Sequence, residues 1–322
     1  MKTTNKWIGI FASISLLAGV LTGCAGTSPE SSNPGVSESS SAGTTQTKTY
    51  VDKAGREVEI PVNPQRIVTI NMTAEAIALG IKPAGAAENW LTSLDETQKE
   101  GIESVGAVSN LNYEKILELE PELIITPMNV TNEDTIEALS KIAPTVVGPF
   151  FGNAIENLRT IGDILGKAEE AESWISSYEE KAKNVKSKLS DEIPEGKTAL
   201  LIQLSSKNAT YIYPASTWPT IYEVLGLTLP DAAPLKELTA GANLSLDQLT
   251  EYNPDYIFLT SVNDASMPEL KQEFTNHSVW NSLSAVKNNH VYTLGARLSA
   301  GDVLTLDWAL DEVVRVVEET NH

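Results

Sequence analysis

One cysteine, Cys24, stands among 322 residues. Without a second thiol, no intrachain disulfide and no CxxC redox pair can form, so the fold has to rest on its core alone. Histidine is almost as scarce: His277, His290 and His322 are scattered, the first two in turn-like stretches and the third at the terminus. A buried zinc or manganese site needs several converging ligands, so this scarcity argues against a receptor for bare metal ions or a resident metal. The signatures of catalysis are missing too: there is no GxGxxG after a strand, no Walker loop, no GxSxG and no HExxH. Basic residues are outnumbered, 23 against 43 acids, for a net charge of −20, which argues against nucleic acid as a partner.

What is present begins with a targeting pattern. Lys2 and Lys6 lead into the apolar run Trp7 to Val20, which is too short for a comfortable membrane span. Leu21-Thr-Gly-Cys24 closes it and resembles the bacterial lipoprotein signal, in which the cysteine is lipidated. An ordinary cleaved signal is the alternative, but the lone cysteine stands where a lipid signal needs it. Residues 25–49 are rich in Ser, Thr and Gly and should form a disordered tether with a reach of roughly 25–30 Å. Loss of residues 1–24 would take the charge from −20 to −22, since Lys2 and Lys6 are their only charged residues.

The chain is organised around a helical stretch, residues 167–190. Ala168, Ala171, Trp174, Ile175, Tyr178, Ala182, Val185 and Leu189 recur at steps of three and four, with Asp191, Pro194 and Gly196 as the stop. The sequences on either side resemble each other. Leu111-Asn-Tyr-Glu-Lys-Ile-Leu-Glu-Leu-Glu-Pro-Glu-Leu-Ile-Ile125 aligns without a gap on Leu244-Ser-Leu-Asp-Gln-Leu-Thr-Glu-Tyr-Asn-Pro-Asp-Tyr-Ile-Phe258. Each copy reads as cap, short helix, Pro, acid and buried strand. Weaker echoes precede and follow both copies in the same order, which implies two lobes of similar topology.

The first lobe, 50–166, opens with a hairpin-like run at Val51–Ile60. Strands are expected at 67–70, 83–87, 123–126 and 145–147, and helices near 73–79, 133–142 and 155–165. The second lobe, 191–322, should carry strands at 198–204, 256–260 and 291–294, and helices at 217–225, 267–283 and 304–319. This is an α/β fold: two lobes, each a mostly parallel sheet covered by helices, joined by one long helix.

Asp52-Lys-Ala-Gly-Arg56, Asn63-Pro-Gln-Arg-Ile-Val68, both Pro-acid motifs and Trp280-Asn-Ser-Leu-Ser-Ala-Val286 with Val291-Tyr292 follow in order. With the lipid signal they resemble the iron-siderophore and corrinoid substrate-binding lipoproteins of ATP-driven importers, over essentially all of residues 50 to 320. The resemblance implies a ligand held between two lobes and a stiff linking helix that permits only a small closure. It also implies one acid per lobe for docking to the membrane permease, Glu114 and Asp247, although that family usually has Glu at both places. Read from the residues alone, these are first-turn acids stabilised by the helix dipole. A monomer anchored on the outer face of a cell membrane is the implied setting, with a Gram-positive bacterium as its source and a permease with its cytoplasmic ATPase as partners.

In open parallel sheets ligands lie beyond the carboxyl ends of strands. Those ends present Asn71, Trp90, Met128 and Phe150 in the first lobe and Lys207, Tyr213, Trp218 and Arg297 in the second. Trp90, Met128, Phe150 and Phe151 are apolar residues in loop positions, a pattern that suggests a ligand surface. Tyr211 and Tyr213 could instead form a strand. Lys207 and Arg297 are the cleft cations expected from the pattern, or else solvated surface charges. Two cations would orient a weakly anionic chelate but poorly neutralise a ferric tricatecholate, so a hydroxamate or citrate–hydroxamate siderophore is expected. A haem or corrinoid receptor is the alternative within the class. A chelatase-like enzyme on the same frame is the alternative outside it.

Overall fold

The computed structural model describes residues 46–128, 132–149, 152–206 and 209–321. Cys24, and with it the expected signal and most of the expected tether, lies outside the described residues, as do Asn129, Phe150, Phe151 and Lys207. Within the stretch read as tether, Thr47–Val51 is a strand, paired antiparallel with Glu57–Pro61. Alternate residues of this hairpin turn inward, and Tyr50 and Val58 pack on the core. Asp52 fixes it in place. Its buried carboxylate accepts two bonds from the Arg56 side chain (2.9 and 2.6 Å) and one from the Val147 amide (3.1 Å).

The first lobe is a five-stranded sheet in the order Glu103–Ser104, Gly85–Ala86, Ile67–Thr69, Leu123–Pro127 and Thr145–Gly148, parallel throughout. In the second lobe Ala199–Ser206, Tyr256–Ser261 and Val291–Thr293 form the parallel part. Two strands extend it antiparallel, Ala209–Ile212 and Ala242–Asn243. Two residues separate Ser206 from Ala209, too few for a crossover helix, so the chain can only return antiparallel. Tyr211 therefore belongs to a strand.

The repeat is a repeat of bonds as well as letters. Asn112 caps the Lys115 amide (3.0 Å) and Ser245 caps that of Gln248 (3.2 Å). Ile116 and Leu249 are fully buried beneath the two helices. Each helix exits through a left-handed non-glycine residue, Glu120 and Asn253. The acid after each Pro then receives a backbone amide from the chain entering the neighbouring parallel strand: Gln65 to Glu122 (2.6 Å) and Thr198 to Asp255 (2.9 Å). The Pro-acid pair is thus a strand-aligning device, used once per lobe.

The linking helix is Ala168–Lys188, about 30 Å long. Ala171, Ile175, Tyr178, Ala182 and Val185 are buried along one stripe, with Leu189 beyond the end, while Trp174 is half-buried and stacks on Tyr178 at 5.6 Å. Ala168, at the first turn, is exposed. One apolar cluster runs from strands of the first sheet through this stripe into strands of the second. The closing helix, Val303–Asn321, packs on the linking helix and also on Thr73–Ala78 of the first lobe, so the lobes are joined along a seam of helices.

Two expected helices differ. The stretch 267–283 is helical only at Met267–Thr275, followed by a 3-10 turn at Trp280–Ser282 and a short helix at Ser284–Lys287. At ~100° per residue, a continuous helix would turn Trp280 away from the face that buries Met267, Leu270 and Phe274. The break lets Trp280 bury itself edge-on to Phe274, 5.2 Å away. The stretch 217–225 forms a π-helical turn at Thr220–Val224 after a 3-10 turn at Ala215–Thr217. Such turns tend to occur at functional sites.

Candidate functional site

A cavity of about 660 Å³ opens between the lobes, with the middle of the linking helix in its wall through Tyr178. Its size suits a small-molecule ligand. It is built from strand ends. Beyond Ile67–Thr69, Met72 takes a left-handed backbone (φ 62°) although it carries a side chain, a costly conformation often found at binding sites. That turn sets Asn71 on the wall, where its amide donates to the Pro149 carbonyl at 3.2 Å. Across the cleft Tyr213 donates to Gln203 (2.8 Å), which in turn donates to Ser299 (2.8 Å). This chain stiffens the second-lobe wall. The Tyr213 and Trp218 rings meet edge-on at 5.7 Å.

Of the residues expected from sequence, Asn71, Trp90, Tyr213 and Trp218 line this cavity. Met128, 38% exposed, is not on its wall. Neither is Arg297, the expected cleft cation. Arg297 lies over the Trp308 ring, 5.7 Å from its centroid, and donates to Gln98 of the first lobe at 3.4 Å. Arg297 belongs to a 3-10 turn, Ala296–Ala300, just beyond the strand end. The docking acids stand apart from the cavity. Glu114 and Asp247 are exposed in the first turns of Tyr113–Glu118 and Leu246–Tyr252, and Tyr113 and Leu117 lie exposed beside Glu114. His290 stacks on Tyr256 at 4.4 Å, away from the cavity, and His277 is on the surface.

The cavity also gathers residues that sequence reasoning missed. Tyr178 is one: burial and the Glu223 charge push its hydroxyl up to about 12. Gln203 is another, a polar residue in an apolar strand, which is a readable signal. The third group is acidic. Glu75, on Thr73–Ala78, and Asp302, which caps the closing helix by accepting the Thr305 amide at 2.7 Å, both face the cavity. Burial and the Asp302 charge push the Glu75 carboxyl up to about 8, against bonds from its own amide and that of Val303. Asp302 is also raised, by burial, despite the pull of its cap bonds and Arg297. At neutral pH the pair therefore holds a proton. The Val303 amide belongs to the closing helix and Glu75 to the first lobe, so this bond crosses between lobes. The Trp218 side chain is buried, and its indole N–H has no acceptor among the described residues.

Among the described residues, no cluster of His, Cys, Asp and Glu is placed to hold a metal ion. The sequence pattern of a family described as periplasmic binding protein matches residues 70–298. The chain is 29% identical to the iron(3+)-hydroxamate-binding protein YxeB of Bacillus subtilis over 91% of this chain and 89% of that one. Among solved structures, it is similar to Staphylococcus aureus SirA complexed with staphyloferrin B (27% identity, TM-score 0.68), covering 84% of this chain and 99% of that one. It is also similar to Bacillus subtilis FeuA, a triscatecholate siderophore-binding protein complexed with ferri-bacillibactin (26% identity, TM-score 0.66), covering 85% and 98%.

Proposed function

Because the chain belongs to the periplasmic binding protein family, we propose that it is a receptor that captures a ferric siderophore outside the cell membrane and delivers it to the permease of an ATP-driven importer. The observation that carries this reading is the aromatic, strand-end cavity between two lobes tied by a seam of helices. The iron is cargo that arrives already chelated, in keeping with a cleft that offers hydrogen bonds and rings. Cys24 is the proposed anchor, and Glu114 with Asp247 the proposed contacts to the permease. The three relatives span different chelate chemistries, so the walls must decide between ligands. The cleft is poor in cations: no Lys or Arg is among its described lining residues. That favours a hydroxamate-type chelate over a tricatecholate, whose three negative charges would meet no cation among the described lining residues. Haem or a corrinoid is the second reading, and none of the three relatives is named for either.

Trp90 and Trp218 in the wall make the test direct. Intrinsic fluorescence titrated with ferric hydroxamates, ferric tricatecholates, haem and cobalamin should saturate with a hydroxamate chelate. Saturation by haem or cobalamin, with no response to any ferric siderophore, would overturn the proposal.

A further inference from the structure

Three cavity-wall residues of the second lobe, Tyr213, Gln203 and Ser299, are joined in one chain of hydrogen bonds. Gln203 lies in the strand Ala199–Ser206 and is only 6% exposed. It shares a strand face with Ala199 and Leu201, which pack into the cluster around the linking helix. Of these three only Gln203 is among the described lining residues. Its amide spends both ends on the wall. The carbonyl oxygen accepts from the Tyr213 hydroxyl (2.8 Å), and the nitrogen donates to the Ser299 oxygen (2.8 Å). Tyr213 is held by more than this bond. A Cβ at Gly241 would lie 2.7 Å from its ring, so the ring needs the glycine, and Trp218 meets it edge-on. Ser299 stands at the open end of the chain. It is exposed, in the turn Ala296–Ala300, and among the described residues its hydroxyl makes no bond beyond the one it accepts.

The direction of the chain decides what the wall offers. A phenol donates a hydrogen bond more strongly than an aliphatic hydroxyl and accepts one less well, which orders the three groups from Tyr213 to Ser299. Burial raises the Tyr213 hydroxyl above its ordinary value, so it keeps its proton and remains a donor. Ser299 has one hydrogen, and the group facing it from the wall, the Gln203 nitrogen, is itself a donor. That hydrogen is therefore left for the cavity. We propose that Ser299 donates a hydrogen bond to an oxygen of the ferric chelate, and that Gln203 is the positioning residue that turns it to do so. This deepens the siderophore reading and rests on it. A ferric hydroxamate carries oxygens on the iron and in its linking amides, all of them acceptors. Accepting from Gln203 polarises the serine hydroxyl and makes it the stronger donor. Its orientation is set before the ligand arrives, which lowers the cost of ordering it on binding.

Tryptophan fluorescence titrated with a ferric linear trihydroxamate reads the affinities. Ser299→Ala should weaken binding about five-fold or more, the worth of one hydrogen bond. Ser299→Thr, which keeps the hydroxyl, should restore most of the loss. Gln203→Met, close in size but without an amide, should cost about as much as Ser299→Ala when made alone. Made on top of Ser299→Ala, it should cost at most about two-fold more, because its effect passes through the serine. Melting curves check that each variant is folded, and Ser299, being exposed, can be changed with little risk to the core. Unchanged binding by Ser299→Ala overturns the proposal and leaves the receptor reading intact. If Tyr213→Phe then weakens binding, the chain runs the other way, with the phenol facing the ligand. Fully additive losses from Gln203→Met and Ser299→Ala overturn the positioning role. A wild type that binds no ferric siderophore of any class overturns both the proposal and the reading on which it rests.

Discussion

Glu75 shows how far a single residue departs from its sequence context. In Thr-Ala-Glu-Ala-Ile-Ala it looks like a first-turn acid serving the helix dipole. In the fold it is buried against Asp302, and its carboxyl is pushed up to about 8 from an ordinary 4.5. A carboxyl raised by folding stabilises the native state most below its unfolded value, and this contribution falls as pH rises from about 4.5 through about 8. Between pH 6 and 8 the wild type should lose on the order of 2 kcal/mol from this group. Glu75→Gln should flatten that slope, as read from urea midpoints at the two pH values; an unchanged slope would mean that Glu75 is already ionised. Asp52 works in the opposite direction. Its bonds to Arg56 and Val147 outweigh its burial and hold its carboxyl below the usual range, so its contribution is lost only in acid. The acid pair was illegible beforehand because its members lie on different lobes and meet only through the seam. Asn71, Trp90, Tyr213 and Trp218 follow strands closely in the chain, and all four line the cavity. Arg297 follows a strand as expected, but its long side chain lies over Trp308 and is not part of the cavity wall.

At the scale of elements, the linking helix and the repeat were read from sequence with little loss. A stripe at steps of three and four survives folding when one helix packs along its whole length, as Ala171 to Val185 do. The Pro-acid repeats were equally visible, and the structure adds their purpose in aligning a neighbouring strand. The breaks near Asn276 and Pro219 were not visible, since they answer to the burial of Trp280 and the shape of the cavity wall. The repeat also places the proposed docking acids on equivalent, exposed first turns, outside the cavity. Changing Glu114 and Asp247 together to Ala should reduce cellular uptake of the ferric siderophore by about ten-fold or more while its affinity for purified protein stays within about three-fold. A collapse of affinity would instead assign these acids to the fold or the ligand site.

Over the whole molecule, one seam of helices determines how the lobes can move. The linking helix, the closing helix and Thr73–Ala78 share one apolar cluster, and Glu75 bonds across the lobes at the cavity. Separating the lobes widely would expose that cluster, so ligand entry is expected to need only a small opening. A cavity that is nearly formed before binding spends little of the contact energy on rearrangement. The iron of a bound ferric chelate should sit in this space. Crystals grown with a ferric trihydroxamate and measured at the iron edge should show one anomalous iron peak in the cleft, between the walls carrying Trp90 and Trp218. A chelate bound at full occupancy elsewhere on the molecule, with the cleft empty, would contradict it.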